Sequence, residues 1–205
     1  MTKYDPHKHH RRSIRLKGYD YSQSGYYFVT ICVQNHDCLF GGCSNGVMHL
    51  NAAGEMVVRV LLSLIERFPT IKIESFVVMP NHIHFIIQFV GTGLVPAQGV
   101  PDTQEGATTD GATTRVAPTK VPTLGDVVGA FKSITTHQYT VGVKEEDWQA
   151  FNGRLWQRNY YEHIIRNERG LNVIREYVQN NPIVWEQDSL HPVAPPNAFN
   201  TDQAK

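Results

Sequence analysis

The chain has 205 residues, 41% of them hydrophobic, with a formal net charge of zero. This suffices for one domain with a buried core, and total charge announces no nucleic-acid partner. No run of about 18 apolar residues occurs, so no membrane span is expected. The N-terminus shows no apolar leader region, and Cys32, Cys38 and Cys43 have no zinc-finger spacing; reduced thiols in a cytoplasmic protein are the expectation.

The distribution of charge says more than its sum. Residues 1–20 carry Lys3, Lys8, Arg11, Arg12, Arg15 and Lys17 against Asp5 and Asp20. A basic arm over 1–17 can neutralise phosphates, or it can be a solvated tail. Residues 26–34, rich in aromatic and β-branched side chains, predict a strand, and residues 47–51 a short edge strand. Between 53 and 68, Met56, Val57, Val60, Leu61, Leu64 and Ile65 recur at helical spacing before Pro69. Residues 71–79 and 82–90 predict two strands joined by a tight turn at Pro80-Asn81, hence an antiparallel hairpin.

Residues 91–123 are rich in Gly, Thr, Pro and Ala, and Gly106-Ala107-Thr108-Thr109 recurs as Gly111-Ala112-Thr113-Thr114. Such a segment buries little apolar surface and is expected to be a poorly ordered insertion. Thr123 offers an N-cap to a helix over 124–139, with Val127, Val128, Phe131 and Ile134 on one side. A short helical turn over 145–151 and a strand or extended segment over 155–165 follow. Asn167 caps a last helix carrying Leu171, Ile174 and Val178, and Pro182 is expected to stop it. A polar tail over 189–205 is expected to wrap the surface or fray. Strand, helix, strand, strand, helix, strand, helix is an α+β order: a mainly antiparallel sheet with helices on it.

One triplet within the fourth strand has chemistry. His82 and His84 flank Ile83, and side chains two apart in a strand share a face. Two imidazoles so placed can hold one metal ion, or be two half-buried histidines bonded to neighbours. On the last helix Tyr177 and Asn181 stand four apart and so project together. An amide oxygen suits a hard divalent cation such as Mg²⁺ or Mn²⁺. Equally, Tyr177 can be an edge-of-core tyrosine and Asn181 a helix-capping residue.

Five segments occur together and in order: Tyr27-Phe28-Val29-Thr30, Val77-Val78-Met79-Pro80-Asn81-His82-Ile83-His84, Phe131-Lys132-Ser133, Trp156-Gln157-Arg158-Asn159-Tyr160-Tyr161-Glu162-His163-Ile164-Ile165-Arg166, and Ile174-Arg175-Glu176-Tyr177-Val178-Gln179-Asn180-Asn181-Pro182. In this the chain resembles the REP-associated tyrosine transposases, relatives of the single-tyrosine transposases of bacterial insertion sequences with a His-hydrophobic-His motif. The resemblance covers residues 18–188 apart from the insertion.

It implies a ferredoxin-like catalytic domain, with His82 and His84 as metal ligands, Asn181 as a third ligand and Tyr177 as nucleophile; Tyr160 and Tyr161 are rivals. It further implies a metal-dependent single-stranded DNA endonuclease and strand transferase that forms a 5′-phosphotyrosine link at hairpin DNA. The asparagine-bearing branch is expected to work as monomers, a dimer being the alternative, in the cytoplasm with the nucleoid. Arg11, Arg12, Arg15, Lys17, Lys132 and Arg158 are the candidate phosphate contacts. Lys132 and Arg158 can equally be solvated charges, and Tyr19 and Tyr21 can stack on bases or simply pack. A hairpin-binding relative without nuclease activity is the second reading, and a metal protein unrelated to DNA the third.

Overall fold

A computed structural model describes residues 15–90 and 121–195. Arg11 and Arg12 of the basic arm, residues 91–120 of the expected insertion and residues 196–205 of the expected tail lie outside the described residues.

The elements are β1 (Gly25–Cys32), β2 (Gly41–Ser44), β3 (Val47–Leu50), α1 (Ala52–Arg67), β4 (Ile71–Met79), β5 (His82–Phe89), α2 (Leu124–Glu145), β6 (Tyr161–Ile165) and α3 (Glu168–Asn180). A 3₁₀ helix over Asn181–Gln187 continues from α3. Strands β4-β5-β1-β6 form one sheet, antiparallel at every pairing. Leaving aside the small β2–β3 hairpin, the order β-α-β-β-α-β in this arrangement is ferredoxin-like. The domain is α+β.

Side-chain alternation divides the sheet into two faces. On one, Ile83, Phe85, Ile87 and Phe89 of β5 and Tyr27, Val29 and Ile31 of β1 pack with Met56, Val57, Leu61 and Leu64 of α1 and Val127, Val128 and Phe131 of α2. On the other, Ile86 and Ile165 pack with Leu171 and Val178 of α3. His82 and His84 share the phase of Ile86, so they belong to the face that α3 covers. Both sides of β5 are therefore buried, which is why its residues read as one apolar run.

The helix starts follow their caps. Asn51 accepts from Gly54 N, Thr123 forms a reciprocal capping box with Asp126, and Asn167 accepts from Gly170 N. The register of β4 shifts between Ile73 and Ser75, leaving Glu74 as an extra residue. The bulge turns Glu74 to Arg175 of α3, which donates to its carboxylate. That ion pair, with the apolar stripe, holds α3 on its own sheet.

Three sequence expectations are narrowed or corrected. Helix α2 runs six residues beyond Tyr139 to Glu145. Its last turns have poor intrinsic propensity, but Gly142 lets the Trp148 ring lie where a side chain would stand, and that packing overrides propensity. Within 155–165 only β6 is strand; Trp156 makes an isolated bridge to Val33. Helix α3 ends at Asn180, ahead of Pro182 as expected, and a 3₁₀ helix takes over to Gln187, Pro182 needing no N–H in its first turn. Ile65, counted on the apolar side of α1, is 46% exposed.

Gly142→Ala tests the override. Alanine normally stabilises a helix by about 1 kcal/mol over glycine. Here its methyl group would meet the Trp148 ring, so urea unfolding should show a net loss of about 1–3 kcal/mol.

Candidate metal centre and tyrosine site

The tight turn at Pro80-Asn81 starts β5 with His82, paired to Met79 on one side and Cys32 on the other. His84 lies between Thr30 and Val77. Both imidazoles are buried. Each Nδ1 has a neighbour at 2.8 Å: Asn81 Oδ1 for His82 and Thr30 Oγ1 for His84. Each Nε2 is thereby turned towards the other, 3.0 Å away. Two ligands at about 2.1 Å from a cation, on adjacent corners of an octahedron, would lie about 3.0 Å apart. The observed spacing fits.

Helix α3 brings the Tyr177 hydroxyl to 3.3 Å from His84 Nε2, in the same chain. The Phe28 ring stacks on His84, with centroids 5.2 Å apart, and meets Tyr177 edge-on. Tyr177 remains 45% exposed, so it is open to a large substrate while the histidines are not. One turn on, Asn181 is fully buried. Its Nδ2 donates to Asp188 Oδ2 at 3.2 Å, and its Oδ1 accepts no well-formed hydrogen bond. Asp188 Oδ2 lies 4.0 Å from His82 Nε2. Ligand atoms of His82, His84 and Asp188 fall within 4.8 Å of one another, and the three could hold a metal ion. A carboxylate, two imidazoles and a buried amide oxygen without a donor are a fitting set for a divalent cation.

Burial pushes the His82 pKa down to about 3, helped by nearby His36 and opposed by the Asn181 amide. Burial, then the His82 charge, also lowers that of His84. Both are thus neutral at pH 7, the form that ligates metal. Tyr177 is raised to about 12, by burial first and then by Asp188; the Asn181 amide works the other way.

The expected phosphate contacts are dispersed. Lys132 Nζ donates to the carbonyls of Gln157 at 2.8 Å, Asn159 at 2.8 Å and Arg158 at 3.4 Å. Three carbonyls face its three protons, so the ammonium ties α2 to the segment entering β6. Burial brings its pKa down to about 8. Arg15 lies 4.6 Å over the Tyr160 ring, while Lys17 and Arg158 are exposed. Tyr19 and Tyr21 pack against each other and Tyr27, and Tyr21 donates to Glu162. Tyr160 is buried, and its hydroxyl makes no hydrogen bond among the described residues. Tyr161 pairs with Thr30 on β1. His163 is exposed on β6.

An uncharacterised protein of Haemophilus influenzae is 41% identical over 199 residues, which cover 93% of this chain and 98% of that protein. The chain belongs to the same family as this protein. No family model matches the chain. Solved structures also resemble the chain, among them the next two. A REP-associated tyrosine transposase bound to a REP hairpin has 17% identity and a TM-score of 0.49, over 100% of this chain and 96% of that one. A Deinococcus radiodurans R1 protein described as a candidate transposase has 12% identity and a TM-score of 0.41, over 82% of this chain and 97% of that one.

Sequence reasoning brought His82, His84, Tyr177 and Asn181 together and missed Asp188, Thr30 and the bonding role of Asn81. Nothing local marks Asp188; it follows a proline-containing 3₁₀ helix that was not foreseen. Thr30 had a signal, since it falls on the strand that must neighbour the histidines.

Buried neutral imidazoles take up protons first in the unfolded chain, so their contribution is complete above about pH 6.5 and is lost as pH falls towards about 3. Metal-free protein should lose urea stability from pH 7 to pH 4, and His82→Gln should flatten that slope. Lys132→Met should cost about 1–2 kcal/mol at pH 7, because it removes the hydrogen bonds from a charged donor that tie α2 to the carbonyls of residues 157–159. An unchanged unfolding midpoint would mean the ammonium holds nothing.

Proposed function

We propose that the chain is a metal-dependent single-stranded DNA endonuclease and strand transferase of the REP-associated tyrosine transposase kind, acting at hairpin DNA. The observation that carries this reading is the approach of the Tyr177 hydroxyl to His84 Nε2 within one chain, beside two facing Nε2 atoms. The five ordered motifs support it independently. Because α3 lies on its own sheet, the reading has the chain working as a monomer, with no helix borrowed from a second copy.

In this mechanism Tyr177 Oη attacks a backbone phosphorus of the strand. The Oη–P bond forms, the P–O3′ bond breaks, the tyrosine proton leaves and the departing O3′ takes one up. The products are a 5′-phosphotyrosine and a free 3′-OH. The phosphoester is conserved in the covalent link, so rejoining needs no nucleotide cofactor. Phe28 and His84 hold the tyrosine ring against the site, which limits the directions from which phosphorus can be reached. A Mg²⁺ or Mn²⁺ ion held by His82, His84, Asp188 and the Asn181 oxygen would polarise the scissile phosphate and stabilise its charge. Arg11, Arg12, Arg15, Lys17 and Arg158 would contact phosphates; at Lys132 a phosphate must compete with three carbonyls. Such a protein works in the cytoplasm, on the nucleoid.

Labelled hairpin oligonucleotides with Mn²⁺ test the reading on a denaturing gel. Wild type should give a cleaved strand and a covalent adduct, and Tyr177→Phe neither. His82→Ala should lower metal-dependent cleavage on the order of 10²–10³-fold while retaining salt-sensitive hairpin binding. An adduct that survives in Tyr177→Phe sinks the nucleophile assignment. Binding by wild type without cleavage favours the non-catalytic relative.

A further inference from the structure

We infer that Asn81 is a positioning residue that fixes the tautomer of His82, leaving His84 as the adaptable member of the pair; the inference rests on the metal-site reading above. Asn81 is completely buried. Its Nδ2 has two protons, and two backbone carbonyls take them: His36 O at 3.1 Å and Leu190 O at 2.8 Å. The His36 carbonyl comes from a turn with two successive left-handed residues, Asn35 at φ 59° and His36 at φ 58°. Reversing the amide would set Oδ1 against both carbonyl oxygens, so its orientation is decided by its partners. Oδ1 then faces His82 Nδ1 at 2.8 Å and can only accept. His82 carries its proton on Nδ1. Its Nε2 is a bare lone pair directed at His84 and Asp188.

His84 is held differently. Its Nδ1 meets the Thr30 hydroxyl at 2.8 Å, and a hydroxyl can donate or accept. Without a cation, His84 can carry its proton on Nε2, donate it across the 3.0 Å gap to His82, and accept from Thr30. With a cation, the proton moves to Nδ1 and the hydroxyl rotates to accept it. One imidazole is locked and the other switches, so the pair is satisfied in both states.

The same amide also places the carboxylate. Leu190 N donates to Asp188 Oδ1 at 2.7 Å, so Asp188 is fixed to the segment that Asn81 grips by its carbonyl. The other oxygen, Oδ2, is left on the side of Asn181 and His82. One asparagine thus aims an imidazole from β5 and brings in a carboxylate from beyond α3.

The test reads tautomers directly, by long-range ¹H–¹⁵N correlation of the imidazoles in ¹⁵N-labelled protein, in EDTA and then in Mg²⁺. In wild type His82 should keep a protonated Nδ1 and a bare Nε2 throughout, while the His84 pattern changes on adding metal. A protonated Nε2 on His82 in metal-free wild type overturns the inference without recourse to any variant. Asn81→Ala should mix the His82 tautomers and weaken Mn²⁺ binding by about 10–100-fold in calorimetry. Unchanged tautomer and affinity in Asn81→Ala would also overturn it. Wild type that holds His82 in this tautomer and binds Mn²⁺ without cleaving DNA defeats the proposed activity and leaves the role of Asn81 standing.

Discussion

Two imidazole nitrogens turned towards each other at 3.0 Å inside a buried face are the constraint around which this domain is arranged. Two lone pairs cannot share that gap unless a proton or a cation lies between them. Removing the histidines from the interior is not open to the strand. Ile83, Phe85 and Ile87 are sunk in the core on the other side of β5, and a one-residue slip would exchange the two sets. With β1 and β4 flanking it, the strand has no free edge along which to shift. The imidazoles are therefore held where water cannot serve them, and protein groups must do so instead.

Those groups come from β1, from the β4–β5 turn and from the far end of the chain. Thr30 and Asn81 fill the Nδ1 positions. Phe28 and Trp185 lie against the rings. Tyr177, Asn181 and Asp188 close the open side. The placement of α3 makes this possible. Helices α1 and α2 occupy one face of the sheet, and a last amphipathic helix had only the other face on which to bury its stripe. Its connection from β6 is two residues long, Arg166 and Asn167, so the helix starts close beside the sheet edge.

Much of this was readable from periodicity. The period-two alternation of β5 puts the histidines together, the caps at Thr123 and Asn167 mark two helix starts, and the four-residue spacing of Tyr177 and Asn181 puts both on one side of a helix. What stayed hidden depended on contacts between segments far apart in sequence. The turns of α2 beyond Tyr139 were not visible, because Gly142 has poor helix propensity and only its packing against Trp148 sustains them. Lys132 reads as a free cation until three carbonyls from residues 157–159 are seen to converge on it. Asp188 reads as one more polar residue near a polar tail, because the segment that carries it is short, contains a proline and has no period of its own. Leu190, in the same segment, is buried.

The spread of the site along the chain also governs when it can exist. Thr30, Asn81, His82 and His84 are made early, but Tyr177, Asn181, Asp188 and the Leu190 carbonyl come more than 90 residues after the histidines. Until that last stretch has emerged during synthesis, Asn81 lacks one of its two acceptors and the histidine face of the sheet lies bare. A nascent chain can form β4, β5 and α1 from neighbouring residues, since such local contacts close first. It cannot hold a nucleophile beside the imidazoles. The activity proposed here would therefore be silent on the ribosome and would arise as one of the final acts of folding.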